Sequence, residues 1–182
     1  GAGKSKLLKA FDTLKDLVTT SHEDKMEPLP YHEFALDPYK EDHMPSEIEL
    51  IYHFDGNRYR YYIKWNENVI LEERLTLLKV VTEAEMYHRW YDNEKKVSRV
   101  AYGKMMDMDD DTAYYIRTAL LRNNSVISII TGANIYNKVL HDQFSFFRNG
   151  IELVELSDID LGDMLPDEKM QDGREYHTET LC

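Results

Sequence analysis

The sequence predicts a mixed α/β chain in which one amphipathic helix leads into an antiparallel β-meander and then into a helical segment. Three observations carry this reading. Apolar residues recur at helical spacing over the first twenty positions, and alternation of period two, broken by turn residues, runs from Glu47 to Tyr102. Helical spacing returns from Thr112.

Composition sets the frame. The chain has 182 residues, 42% hydrophobic and 31% charged, enough for one good-sized globular domain. It contains no run of eighteen apolar residues, and a lysine-dotted helix pattern stands where a secretory apolar region would be. Neither a membrane span nor a signal peptide is expected, and the expected compartment is the cytoplasm. Cys182 is the only cysteine, which excludes an internal disulfide framework and a thiolate metal cluster. The net charge of −12, concentrated in Asp107 to Asp111 and in the tail from Glu152 to Glu179, leaves no overall basic field for a phosphate backbone.

Between Lys4 and Thr20, Leu7, Leu8, Phe11, Leu14, Leu17 and Val18 fall on one face, with Lys6, Lys9, Asp12, Lys15 and Asp16 between them, so a helix with one buried face is expected. Pro28 and Pro30 end that pattern, Tyr31 to Leu36 has the character of a short strand, and Pro38 and Pro45 bound an irregular stretch. Ile48, Leu50, Tyr52 and Phe54 then alternate toward Asp55-Gly56-Asn57, which has the chemistry of a hairpin turn. The partner strand is Arg58 to Trp65, with Tyr59, Tyr61 and Ile63 on one face and Arg60, Tyr62 and Lys64 on the other. A turn at Asn66-Glu67-Asn68 leads to a third strand, Val69 to Leu78. Ala84 to Asp92 and Lys96 to Tyr102 extend the meander to four or five strands. Thr112 to Arg122, Ser125 to Thr131 and Ile135 to Arg148 read as helices, the first capped by the acidic run at Asp109, Asp110 and Asp111. Residues 1–156 form the expected domain, and residues 157–182 an acidic linker or partly ordered tail.

One motif carries chemistry. A Walker A loop, G-x-x-x-x-G-K-[ST], wraps phosphates in backbone N–H groups, reaches the β- and γ-phosphates with its lysine and binds Mg²⁺ through its hydroxyl. Gly3-Lys4-Ser5 matches its last triplet, with Gly1 and Ala2 as loop positions; the first glycine and the strand feeding the loop are then expected upstream. The helix that follows is the context such a loop needs. A bare G-K-S triplet is common, however, and the competing reading is a flexible start followed by the solvated first turn of a helix.

The opening run Gly1-Ala2-Gly3-Lys4-Ser5-Lys6-Leu7-Leu8-Lys9-Ala10-Phe11 resembles the loop and first helix of ATPases with ABC/SMC-like heads. More narrowly, the chain resembles the AAA-type P-loop ATPases of bacterial abortive-infection and OLD-like defence systems. The resemblance continues in order through Phe34-Ala35-Leu36-Asp37, Pro45-Ser46-Glu47-Ile48-Glu49-Leu50, Gly56-Asn57-Arg58-Tyr59-Arg60-Tyr61 and Ile70-Leu71-Glu72-Glu73-Arg74-Leu75. It resumes at Asn123-Asn124-Ser125-Val126-Ile127-Ser128 and Phe144-Ser145-Phe146-Phe147-Arg148-Asn149, and covers about four fifths of the chain. Only the loop triplet is a functional motif; the other matches are structural signatures.

The resemblance implies an α/β P-loop NTPase fold, an ABC-like head fragment made of a loop helix, an antiparallel β-meander and a helical insertion. It implies ATP and Mg²⁺ as ligands, with Gly1, Ala2, Gly3, Lys4 and Ser5 at the phosphates, Lys4 catalytic and Ser5 a Mg²⁺ ligand. In the full-length protein it implies ATP hydrolysis, a homodimer of heads, control of an effector in antiviral defence, and a second half holding the Walker B acid, signature loop and switch histidine. This chain by itself is expected to be inactive. Nucleic acid is a partner for the full-length protein, not for this segment.

Other candidates carry less. The histidines at 22, 32, 43, 53, 88, 141 and 177 show no metal-binding spacing, and the run Asp107 to Asp111 lacks the glycine and final glutamate of a Ca²⁺ loop. Leu153 to Asp158 is interrupted by Glu155 and does not read as a Walker B strand. Tyr59, Tyr61, Tyr62 and Trp65 with Arg58 and Arg60 suggest a stacking platform for single-stranded nucleic acid, but cross-strand packing accounts for them more simply. Gln143 is the one candidate for the glutamine that touches Mg²⁺ in ABC-type heads. The rival functional class is a protein or nucleic-acid interaction module in which the triplet is accidental.

Overall fold

The computed structural model describes residues 2–31, 44–132 and 134–151, with the side chains of residues 2–4 outside the description. These residues lie in one compact unit, Gly1–Glu152. The strand expected at Tyr31 to Leu36 and the tail from Ser157 fall outside the described residues.

The architecture is a mixed α/β unit built on a five-stranded antiparallel sheet. Helix α1, Ala2–Thr19, leads to the strands β1, Ser46–Phe54; β2, Asn57–Trp65; β3, Ile70–Leu78; β4, Glu83–Asp92; and β5, Val97–Tyr102. The strand order is β1-β2-β3-β4-β5, so neighbours in sequence are neighbours in space and β1 and β5 form the edges. Helix α2, Asp110–Ala119, and helix α3, Lys138–Ser145, follow.

Turn chemistry fixes the register. Phe54 pairs with Asn57 across a two-residue loop, and both Asp55 (φ 47°) and Gly56 (φ 72°) are left-handed, as a turn matched to strand twist requires. At the next turn the Asn66 side chain accepts from the N–H groups of Asn68 and Val69, both at 3.0 Å. The register then slips: Trp65 faces Ile70 while Lys64 faces Glu72, so Leu71 is an extra residue and Glu73 turns inward opposite Ile63.

The inner face of the sheet builds the core. Tyr52, Tyr59, Tyr61, Ile63, Leu75, Met86 and Tyr87 are buried on it, together with Leu14, Leu17 and Val18 of α1, Ile116 of α2 and Leu140 of α3. The outer face carries polar pairs, among them the Arg60–Glu83 ion pair at 2.9 Å and the His88–Glu72 contact at 3.0 Å. Tyr59, Tyr61 and Trp65 therefore pack and do not form an exposed platform, while Tyr62 donates to Glu47 at 2.9 Å.

The helical segment departs from expectation in three places: α2 ends at Ala119 and not Arg122, and two further departures have local reasons. Ser125 to Thr131 is not an α-helix: turns lead into a 3-10 helix at Ser128–Gly132. Ser125 Oγ takes the Ser128 N–H at 3.0 Å, Ser128 Oγ donates back to the Ser125 carbonyl, and the Val126 N–H is drawn to Glu73. Helix α3 starts at Lys138, not Ile135, because Asn137 caps it by accepting from the Leu140 N–H at 3.1 Å. It closes in a π-helical turn, Phe146–Gly150, that stacks Phe146 on Tyr52 with centroids 4.0 Å apart and buries Phe147. Helix α2 behaves as the acidic run requires: the Asp109 side chain accepts from Thr112 N–H at 2.8 Å, and Asp110 and Asp111 occupy the first turn.

Candidate functional site

Ala2, Gly3, Lys4 and Ser5 form the first turn of the eighteen-residue helix α1, so Ala2 is helical and not the loop position the sequence suggested. Gly1 lies outside the described residues, and Ser5 is exposed. The two halves of α1 differ. Leu14, Leu17 and Val18 are buried, whereas Leu7 is 59% and Leu8 40% exposed, so the helix is anchored at its C-terminal half and its N-terminal half stands free among the described residues. One anchor is polar: the Lys15 ammonium donates to the Ile151 carbonyl at 3.2 Å.

The charge of that free half is unusual for a helix start. A helix N-terminus carries a partial positive charge and favours acidic side chains, each worth about 0.3–1 kcal/mol. The first turn of α1 has no acidic residue, and Lys4, Lys6 and Lys9 follow one another with Asp12 as the first acid. Among the described residues no acidic side chain lies in this first turn to answer the helix dipole. No cluster of three or more His, Cys, Asp or Glu side chains suited to a metal ion occurs among the described residues.

Gln143 is placed elsewhere. It is completely buried in α3, where its Oε1 accepts from the Tyr52 hydroxyl. A glutamine enclosed in the core against a tyrosine does not serve a phosphate site, which corrects the sequence-based candidate. Of the histidines described, His22 contacts Glu27 at 2.7 Å, His88 contacts Glu72, and His141 stacks on Tyr136; none joins another histidine.

A second polar constellation escaped the sequence reading. Glu73 and Arg89 are completely buried and face each other across β3 and β4. Glu73 Oε1 accepts from Tyr87 at 2.7 Å and Tyr61 at 3.0 Å, and Oε2 accepts from the Val126 N–H at 2.9 Å. Arg89 donates to the Ile70 carbonyl, to the Arg122 carbonyl at 3.0 Å and to Ser98 Oγ at 3.0 Å. Burial pushes the Glu73 carboxyl up, against the opposing pull of Arg89 and the three hydrogen bonds; burial likewise lowers Arg89, to about 10. The pair ties the sheet to residues 122–126, which also hold the chain after α1: Asn123 Nδ2 donates to the Asp24 and Glu27 carbonyls, and Asn124 Oδ1 accepts from His22 N–H at 2.8 Å. The signal in the sequence was an acid and an arginine at inward strand positions, hidden by the bulge at Leu71.

Comparison of the chain with known protein families, with curated proteins and with solved structures finds no match.

Proposed function

We propose that this chain carries the phosphate-binding helix of a P-loop ATPase with an ABC-like head, in which Lys4 holds the β/γ-phosphates of ATP and Ser5 ligates Mg²⁺. The observation that supports it most is the start of α1: Gly3-Lys4-Ser5 in the first helical turn, no acid there, and lysines following. Bound Mg²⁺ would neutralise charge on the phosphates. The residues present would bind and orient: first-turn N–H groups and Lys4 as donors to phosphate oxygens, Ser5 as the oxygen ligand. In this proposal the full-length protein works as a homodimer of heads that couples ATP hydrolysis to an effector in antiviral defence, while the chain alone turns ATP over negligibly.

Calorimetric titration of Mg²⁺-ATP into the full-length gene product, wild type and Lys4→Ala, tests this. Binding that Lys4→Ala weakens by at least about tenfold is expected, since a charge-assisted phosphate contact is lost. Absence of binding in the folded wild-type protein overturns the proposal and favours the rival reading, an interaction module. The feature that favours that rival is the open β5 edge beside a groove.

A further inference from the structure

The sheet ends at β5, and the hydrogen-bonding direction of each of its residues follows from the pairing. The Gly103 N–H donates to the Met86 carbonyl at 2.8 Å, and Tyr102 stands opposite Tyr87. In an antiparallel ladder the backbone groups of alternate residues point the same way. Those of Ala101 and Arg99 therefore face β4, and those of Ser98, Val100 and Tyr102 face outward. Helix α2, whose Ile116 is buried in the core, lies alongside β5. Between the two elements runs a groove of about 570 Å³ lined, among the described residues, by Val100, Ala101 and Tyr102 on one side and chiefly Asp110, Asp111, Tyr114 and Arg117 on the other.

The groove has the features of a strand acceptor. The Tyr102 hydroxyl is buried and has no hydrogen-bond partner among the described residues, and Tyr114 is 64% exposed with the Arg117 guanidinium 6.0 Å from its ring centroid. Asp110 and Asp111 are exposed at the start of α2, whose capping contact is made by Asp109. Their carboxylates are thus not committed to closing the helix. About seven residues of helix separate them from Arg117, on the order of 10 Å, the length of about three residues of extended chain.

We propose that this groove receives an extended peptide segment of a partner protein, which adds a strand to the outward edge of β5 and seats a lysine or arginine side chain against Asp110 and Asp111. Strand addition draws affinity from main-chain pairing and specificity from side-chain sites beside the edge. Charge selects the occupant. The chain carries −12 overall, and the carboxylates of its own tail, residues 152–182, outnumber Lys169 and Arg174. A basic segment from another protein is attracted to the carboxylates of Asp110 and Asp111.

The test uses residues 1–182 and two fluorescein-labelled ten-residue peptides of alternating threonine and valine, one with two central arginines and one with two central glutamates, followed by fluorescence anisotropy. The arginine peptide is expected to bind at least about tenfold more tightly than the glutamate peptide. Asp110→Asn with Asp111→Asn should erase that preference. Val100→Pro, which removes an outward N–H the fold does not use, should abolish binding of both. Amide chemical-shift changes should map to residues 97–102 and 110–117, and urea midpoints of the variants establish that they fold. Equal binding of the two peptides, binding indifferent to Val100→Pro in a folded variant, or no binding at about millimolar peptide overturns the proposal. Sedimentation that shows a dimer dissolved by Val100→Pro also overturns it, because the occupant is then a second copy of this chain.

Discussion

Replacing Arg89 with methionine should uncover the charge that Glu73 carries in the core. Methionine fills a similar volume, so the main losses are electrostatic. Arg89 is completely buried and lies across the strand pair from Glu73. Its removal also takes donors from the Ile70 carbonyl and Ser98 Oγ, while the Arg122 carbonyl keeps the Ile70 N–H at 2.9 Å. Breaking a buried charge pair by deleting one partner costs about 3–5 kcal/mol, a large share of the roughly 5–15 kcal/mol that holds a domain folded. With a urea slope of about 2 kcal/mol/M the midpoint should fall by about 1.5–2.5 M. Arg89 is what pulls the Glu73 carboxyl down against burial; without it that carboxyl rises further above its unfolded value. The sign follows: a folded-state carboxyl raised above the unfolded value is costless below the unfolded value, about 4.3, and its penalty grows as pH rises through the folded value. The deficit of Arg89→Met should therefore be largest near neutral pH and shrink on acidification toward about pH 4. Adding Glu73→Gln should recover about 1–3 kcal/mol of it at neutral pH, the non-additivity of two groups in one network. A loss below about 1 kcal/mol, a deficit that does not change with pH, or strict additivity of the two substitutions would refute the reasoning.

Other consequences are local. Gly103 leaves no room for a side chain: an added Cβ would lie 1.8 Å from the Glu85 carbonyl oxygen. Gly103→Ala should cost about 3 kcal/mol by thermal or urea denaturation, and an unchanged midpoint would mean the β4–β5 crossing is looser than described. Asn137 both caps α3 and donates to the Met106 carbonyl at 3.0 Å and the Asp107 carbonyl at 3.4 Å; Asn137→Ala should cost about 2 kcal/mol, while Asn137→Asp keeps the cap and loses those two amide contacts. If the two variants lose equal stability, the cap contributes nothing.

Much of the sheet was legible because each turn carried its own chemistry. Asp55-Gly56 sets a left-handed two-residue loop and Asn66 closes the next, so alternation between them could be assigned to faces without reference to the rest of the molecule. The inward placement of Glu73 was not legible, because it depends on one extra residue at Leu71, and a one-residue slip reverses every face after it. The helical segment was harder still. Val126-Ile127-Ser128-Ile129-Ile130 has apolar spacing that suits a helix, but Glu73 claims the Val126 N–H and Ser125 Oγ the Ser128 N–H. At the candidate site the sequence supplied both the triplet and the helix behind it. The exposure of Leu7 and Leu8 could not be read, because apolar spacing shows which face seeks cover and not whether cover is present.

The most direct test of the phosphate-loop proposal is amide hydrogen exchange at the start of α1 in the full-length protein, with and without saturating Mg²⁺-ATP. First-turn N–H groups that hold phosphates should exchange markedly more slowly with nucleotide in the wild type, and Lys4→Ala should remove the protection while leaving β2 and β3 unchanged. Exchange over residues 2–9 that is the same with and without Mg²⁺-ATP in a folded wild-type protein would contradict the account.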